Sequence, residues 1–237
     1  MARISKKVNH SHILLVESET DRGFLEQICK LELNELPKIK PQEVKVCPPK
    51  DYQQDYEEWL YNRKQGVLNL LEDLLPELTN QDAATKKLAA IVDADYGNNK
   101  INGFEETLNQ VKEKAAKFNF YLAENDNNGL IFKHQEEDAK FGLWIMPNNQ
   151  ANGELEDFIK FCIQENEALF RHAVQIVENL PEKKFNPTDK TKAEVATWLA
   201  WQKPPGHGVY WTVYDGLLNT DYALFQELQN WLKQVFA

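Results

Sequence analysis

Leu88-Ala89-Ala90-Ile91-Val92-Asp93-Ala94-Asp95-Tyr96-Gly97 joins an apolar run to two aspartates one residue apart. The polar stretch Asn98-Asn99-Lys100 follows. The run reads as a buried strand that ends at Asp93 and opens into a loop. In an open α/β sheet, ligands collect at the carboxyl ends of the strands. Two carboxylates there make a hard, oxygen-only site, better suited to Mg²⁺ or Mn²⁺ than to zinc. The competing reading is a simple turn, because Asp and Asn favour turns and Gly97 supplies positive φ.

A second apolar run, His12-Ile13-Leu14-Leu15-Val16, ends at Glu17. Ser18, Glu19, Thr20 and Asp21 follow, and then a helical pattern carries Phe24, Leu25, Ile28 and Leu31. Ser18 or Thr20 caps that helix, and acids in its first turn suit the macrodipole. The macrodipole accounts for Glu19 and Asp21 better than for a carboxylate at the strand's end. Parallel neighbours would bring Glu17, Asp93 and Asp95 to one edge of the sheet.

Outward from these two strands the pattern is α/β. Glu43 to Cys47 alternates like a short strand, and Gly66 to Leu78 reads as a helix that Pro76 helps to end. Asn102 caps a helix over Gly103 to Lys117. Phe118 to Leu122 and Leu130 to Lys133 flank the turn-rich Asn125-Asp126-Asn127-Asn128-Gly129 and predict an antiparallel hairpin. Phe141 to Met146 is a further buried strand. The order β-α-β-α-β-α followed by a β-rich segment predicts a mainly parallel, Rossmann-like sheet flanked by helices, with an antiparallel edge hairpin. From Glu154 the chain is helical: a helix opens there, and others are expected over Glu165 to Leu180, Asp189 to Gln202 and Tyr222 to Phe236. Pro181 and Pro187 bracket a basic connector. This predicts an α/β domain over 8–180 and a helical C-terminal extension over 181–237, packed on it.

The loop from Pro147 to Gly153 follows a strand, so Asn148, Asn149 and Gln150 offer neutral hydrogen-bonding groups at the ligand-facing edge. Glu156 or Asp157 would complete a metal or water-positioning site, unless they serve only the helix start. Lys192 is placed to reach a phosphate, or else is an ordinary surface lysine. Val195, Trp198, Leu199 and Trp201 are expected to face inward as core rather than to stack bases. His207, between glycines, has no partner that the sequence supplies.

The chain has 237 residues and a net charge of −10, with 42% apolar and 27% charged residues. That net charge counts against loose, backbone-driven nucleic-acid binding, which needs a basic face. It leaves room for a metal-dependent nuclease, because bound cations invert the local field. Lysine pairs such as Lys38 with Lys40 and Lys183 with Lys184 form no dense basic run. Cys29, Cys47 and Cys162 make neither a zinc pattern nor a disulfide framework, which fits a reduced, cytoplasmic setting. No apolar run is long enough for a membrane span.

A strand ending in Glu17, then a later strand ending in Asp93-Ala94-Asp95, resembles the TOPRIM domain of topoisomerases, bacterial primases and the overcoming-lysogenization-defect nucleases. That resemblance implies phosphodiester chemistry around divalent metal, with Glu17 as ligand or acid/base group and Asp93 and Asp95 as ligands. Asp21 matches a further acidic position of the TOPRIM-like nucleases. Ser18 stands where that family usually has Gly. A second resemblance covers most of the chain, from about Ile13 to Phe236. Gly142-Leu143-Trp144-Ile145-Met146-Pro147-Asn148-Asn149-Gln150, Gly153 to Phe158, Lys192-Ala193 and Ala196 to Gln202 look like a bacterial and archaeal TOPRIM-like family of unassigned function. That family brings no activity with it; the wider TOPRIM resemblance implies a nuclease-like hydrolase acting on nucleic acid or a phosphorylated small ligand. The chain carries no Gly-rich phosphate loop ending in Gly-Lys-Ser/Thr, so an ATPase of the kind those nucleases carry would be a separate protein. The alternative is a non-catalytic module that binds a nucleotide or a protein partner.

Overall fold

A computed structural model describes residues 10–33, 44–52, 63–97, 103–123 and 129–236. Its centre is a six-stranded sheet in the order β2-β1-β3-β6-β5-β4. The strands are β1 (His12–Leu15), β2 (Val44–Cys47), β3 (Lys87–Asp93), β4 (Phe120–Leu122), β5 (Leu130–His134) and β6 (Lys140–Met146). β2, β1, β3 and β6 run parallel, while β5 and β4 add antiparallel at one edge. The parallel core and the edge hairpin are thus as the sequence predicts. The hairpin loop at 124–128 lies outside the described residues, as do Lys38 and Lys40.

The apolar runs are continuous because both faces of the parallel strands are covered. Leu14, Val16, Val46, Ala89, Ile91, Trp144 and Met146 face one helical layer. It contains α1 (Glu19–Leu33), α4 (Leu155–Cys162), α5 (Ala168–Glu178), α6 (Lys190–Ala200) and α8 (Ala223–Phe236). Ile13, Leu15, Leu88, Ala90, Val92, Leu143 and Ile145 face α2 (Arg63–Leu74) and α3 (Phe104–Ala116). Alternate residues of one strand therefore serve two separate cores. The C-terminal helix α8 lies directly on β6, with Trp231 and Trp144 in ring contact at 5.7 Å.

Local departures from the predicted elements have identifiable causes. α2 begins at Arg63, about one turn before Gly66, and its last turn tightens into a 3₁₀ segment, Leu75–Thr79, where Pro76 has no N–H to give. α3 starts from Gly103, at φ 119°, and its first N–H, that of Phe104, is taken by Asn152 Oδ1 at 2.8 Å. The side chain of a distant loop therefore caps this helix; Asn102 lies outside the described residues. Trp201 is 38% exposed and lies tilted against His172, whereas Val195, Trp198 and Leu199 are buried as expected. A short helix that the pattern does not reveal, α7 (Trp211–Tyr214), packs on α1. Among the described residues, no helix is long and apolar enough to cross a membrane.

Candidate functional site

The order β2-β1-β3-β6 creates a crevice. The chain leaves β1 for α1 on one face of the sheet and leaves β3 for α3 on the other. Between the carboxyl ends of such strands the loops diverge, and α/β proteins bind ligands there. Glu17 follows β1 by two residues, and Asp93 is the last residue of β3. The register sets Leu15 beside Ala90, so both carboxylates emerge at this edge.

Glu17 Oε1 accepts the backbone N–H of Asp93 at 2.9 Å. Asp93 Oδ1 accepts the N–H of Leu155, the first residue of α4, at 3.0 Å. Each carboxylate thus has one oxygen anchored on backbone. Asp21 stands close by in the first turn of α1, its Oδ2 bound by the hydroxyl of Ser18 at 2.6 Å. Leu25, Ile91, Met146 and Leu155 form an apolar wall around the three acids. Burial against that wall, with Asp21 and Asp95 adding repulsion, pushes Glu17 up to about 8 from an ordinary 4.5. Burial also raises Asp21, and burial together with Glu17 holds Asp93 well above the carboxylate range.

An open cleft of about 450 Å³ lies over these groups, lined by Glu17, Ser18, Asp21, Arg63, Asp93 and Lys192 among others. Thr20, Leu155 and Glu156 complete its wall. Burial raises Glu156. The Lys192 ammonium pairs with Glu154 at the N-terminus of α4. The cleft thus combines a carboxylate floor with two cationic side chains at its rim.

The other residues singled out in the sequence have different places. Asp95 is not among the residues lining the cleft, and its Oδ2 lies 2.6 Å from the buried ammonium of Lys64. Asp157 closes a capping box with Glu154 and accepts the Tyr96 hydroxyl at 2.6 Å, so its carboxylate is committed to the start of α4. Asn149, 5% exposed and at φ 58°, takes the N–H of Ile145 at 2.6 Å and locks the turn after β6. His207 is buried beside Asp215 and Trp211, outside the cleft. Lys64 and Glu154 were not singled out from sequence. Lys64 carried a signal: it precedes Val67 and Leu68 by three and four residues, so it falls on the apolar stripe of α2.

Among the described residues, no three His, Cys, Asp or Glu side chains are arranged to hold a metal ion together. The donor set of Glu17 and Asp93 is nevertheless all carboxylate oxygen and fits a hard cation. Mg²⁺ is commonly held by one or two carboxylates, with water and substrate phosphate filling the remaining positions.

Comparison with known proteins gives one result. No curated protein and no solved structure matches the chain. The family model described as "Protein of unknown function (DUF3226)" matches residues 11–237, and the chain belongs to that family.

Proposed function

We propose that this chain is a divalent-metal-dependent phosphodiester hydrolase of nuclease type. The observation that carries the reading is the Glu17–Asp93 pair in the crevice between β1 and β3, with one oxygen of each anchored on a backbone N–H. Three acids in one low-dielectric recess repel one another, and a divalent cation relieves that repulsion. The TOPRIM resemblance of Glu17 and Asp93-Ala94-Asp95 supports the same assignment.

Glu17 and Asp93 would hold Mg²⁺ or Mn²⁺. A bound ion supplies charge neutralisation at a phosphodiester and a water of lowered pKa. The chain's own residues do the rest. Arg63 and Lys192 at the rim attract and orient phosphate oxygens. Glu156, its proton affinity raised by burial, lines the cleft wall beside them. The apolar wall of Leu25, Ile91 and Met146 limits water beneath the carboxylates.

The competing reading is a binding module without turnover. The engagement of Lys192 by Glu154 favours it, because a paired ammonium is less available to a phosphate. Calorimetric titration with Mn²⁺ and Mg²⁺, alongside cleavage assays on plasmid, single-stranded DNA and RNA, separates the two. Metal binding and cleavage that both vanish in Glu17→Gln and Asp93→Asn support the hydrolase. Metal binding with no cleavage of any substrate supports the binding module. No metal binding by the wild type sinks both.

A further inference from the structure

We propose that Lys64 is a built-in cation that takes Asp95 out of the ligand set, so that the cleft holds a single divalent ion. The inference rests on the function proposed above and narrows it to a one-ion site. Spacing alone presents Asp93 and Asp95 as a matched pair of ligands. Their side chains instead part company.

Lys64 is buried at 7% exposure, in the first turn of α2. An ammonium has three donors and no acceptor. Those of Lys64 have three partners: Asp95 Oδ2 at 2.6 Å, the Ala94 carbonyl at 3.1 Å and Thr107 Oγ1 at 3.4 Å. Thr107 is itself fully buried on α3. The ammonium is therefore held by the loop after β3 and by α3, and has no donor left for a substrate.

The backbone enforces the separation. Asp95 sits at φ 62°, in the left-handed region, and its N–H is bound by the Gly153 carbonyl at 2.9 Å. That turn sends its side chain toward α2 and α3. Asp95 is accordingly absent from the residues lining the cleft, whereas Glu17, Asp21 and Asp93 all line it. A carboxylate neutralised at 2.6 Å by a buried ammonium is a poor ligand, because a metal would have to displace an ion already desolvated beside it. Lys64 is thus a positioning residue: it fixes the loop after β3 and keeps the Asp95 carboxylate paired away from the cleft.

The test removes the pair as a unit. Lys64→Met/Asp95→Asn keeps the length of the lysine and a residue tolerant of positive φ, and it leaves no unpaired charge. Lys64→Gln/Asp95→Asn is run beside it as a neutral pair that retains a hydrogen bond. Mn²⁺ alone is titrated into each protein by calorimetry, and thermal unfolding is followed without metal. The wild type is expected to bind one Mn²⁺ per chain. At least one neutral pair is expected to bind one as well, with affinity within roughly tenfold of wild type, the lower end of what an outer-shell change costs. The single variants Lys64→Met and Asp95→Asn, each leaving one charge of the pair without its partner, are expected to melt below the neutral pairs. Two Mn²⁺ per wild-type chain, or a loss well beyond tenfold in both neutral pairs, overturns the inference and leaves the hydrolase standing. Single variants that melt no lower than the pairs overturn it too. A wild type that binds no Mn²⁺ overturns both.

Discussion

The N–H of Asp93 donates to Glu17 Oε1 at 2.9 Å, so the carboxylate that follows β1 is pinned to the last residue of β3. The bond fixes Glu17 but does not offset its burial, and its proton affinity stays high, at about 8. Between an ordinary 4.5 and about 8, the folded protein binds more protons here than the unfolded chain does. Metal-free stability therefore falls as pH rises through that window and levels off above it. Thermal unfolding in chelator at about pH 5.5 and about pH 8.5 should show the lower melting temperature at the higher pH. Glu17→Gln should flatten this slope without abolishing it, because Asp21 and Asp93 are raised as well. Mn²⁺ competes with the same protons, so its affinity should increase over the same range. A metal-free melting temperature that rises with pH would contradict the burial of Glu17.

Asn149 and Asp157 occupy the correct edge of the sheet and make structural bonds there. Asn149→Ala leaves the buried N–H of Ile145 without a partner, which costs about 1–3 kcal/mol. Asn149→Asp keeps the acceptor and should recover most of that loss. Asp157→Ala removes half of a capping box and the Tyr96 contact, for a loss of about 1 kcal/mol or more. Urea unfolding reads these losses. Mn²⁺ affinity should be little changed in all three variants. A large loss of metal affinity in Asp157→Ala would place that carboxylate among the ligands instead.

The fold was legible because it is written in periodicity. Val92 and Ile91 face opposite cores, yet the run from Leu88 to Val92 is uniformly apolar, the mark of a strand covered on both sides. The ends of β1 and β3 were equally legible, since Glu17 and Asp93 interrupt those runs. What spacing could not give was the direction of a side chain in a loop. Asp95 is two residues from Asp93, but its positive φ sends it to Lys64 on another helix. Residues that meet through tertiary structure, such as Asn152 at the start of α3 or Lys192 at Glu154, leave no local signal. Lys64 left one, a charge on an apolar stripe, but α2 had to be extended beyond Gly66 for it to be seen.

Gly142 in β6 is a place where α8 approaches the sheet too closely for a side chain. A Cβ there would meet Val235 Cγ2 and would lie 2.9 Å from Trp231 Cζ2. Gly142→Ala should destabilise the chain by about 1–3 kcal/mol, as overpacked cores do. Adding Val235→Ala should return part of that loss, because the two changes share one space. Chemical unfolding followed by tryptophan fluorescence reads both, since Trp144 and Trp231 lie in this contact. Gly142→Ala at wild-type stability would mean that α8 shifts without cost.

Lys192 distinguishes a rim that handles phosphate from one that only closes a salt bridge. Its ammonium is bound to Glu154, and its side chain is 45% exposed, so it can swing from that carboxylate to an incoming phosphate. Exposed on the lysine side though not at Glu154, the bridge itself contributes about 1 kcal/mol to stability. Lys192→Ala should therefore lower the melting temperature only modestly. It should also strengthen Mn²⁺ binding slightly, because a positive charge leaves the cleft. Cleavage should fall by roughly tenfold or more in kcat/KM, about 1.4 kcal/mol of lost transition-state interaction. Lys192→Arg should restore part of it, since a guanidinium also binds phosphate oxygens. Full activity in Lys192→Ala would remove Lys192 from the machinery and leave Arg63 as the cation of the rim.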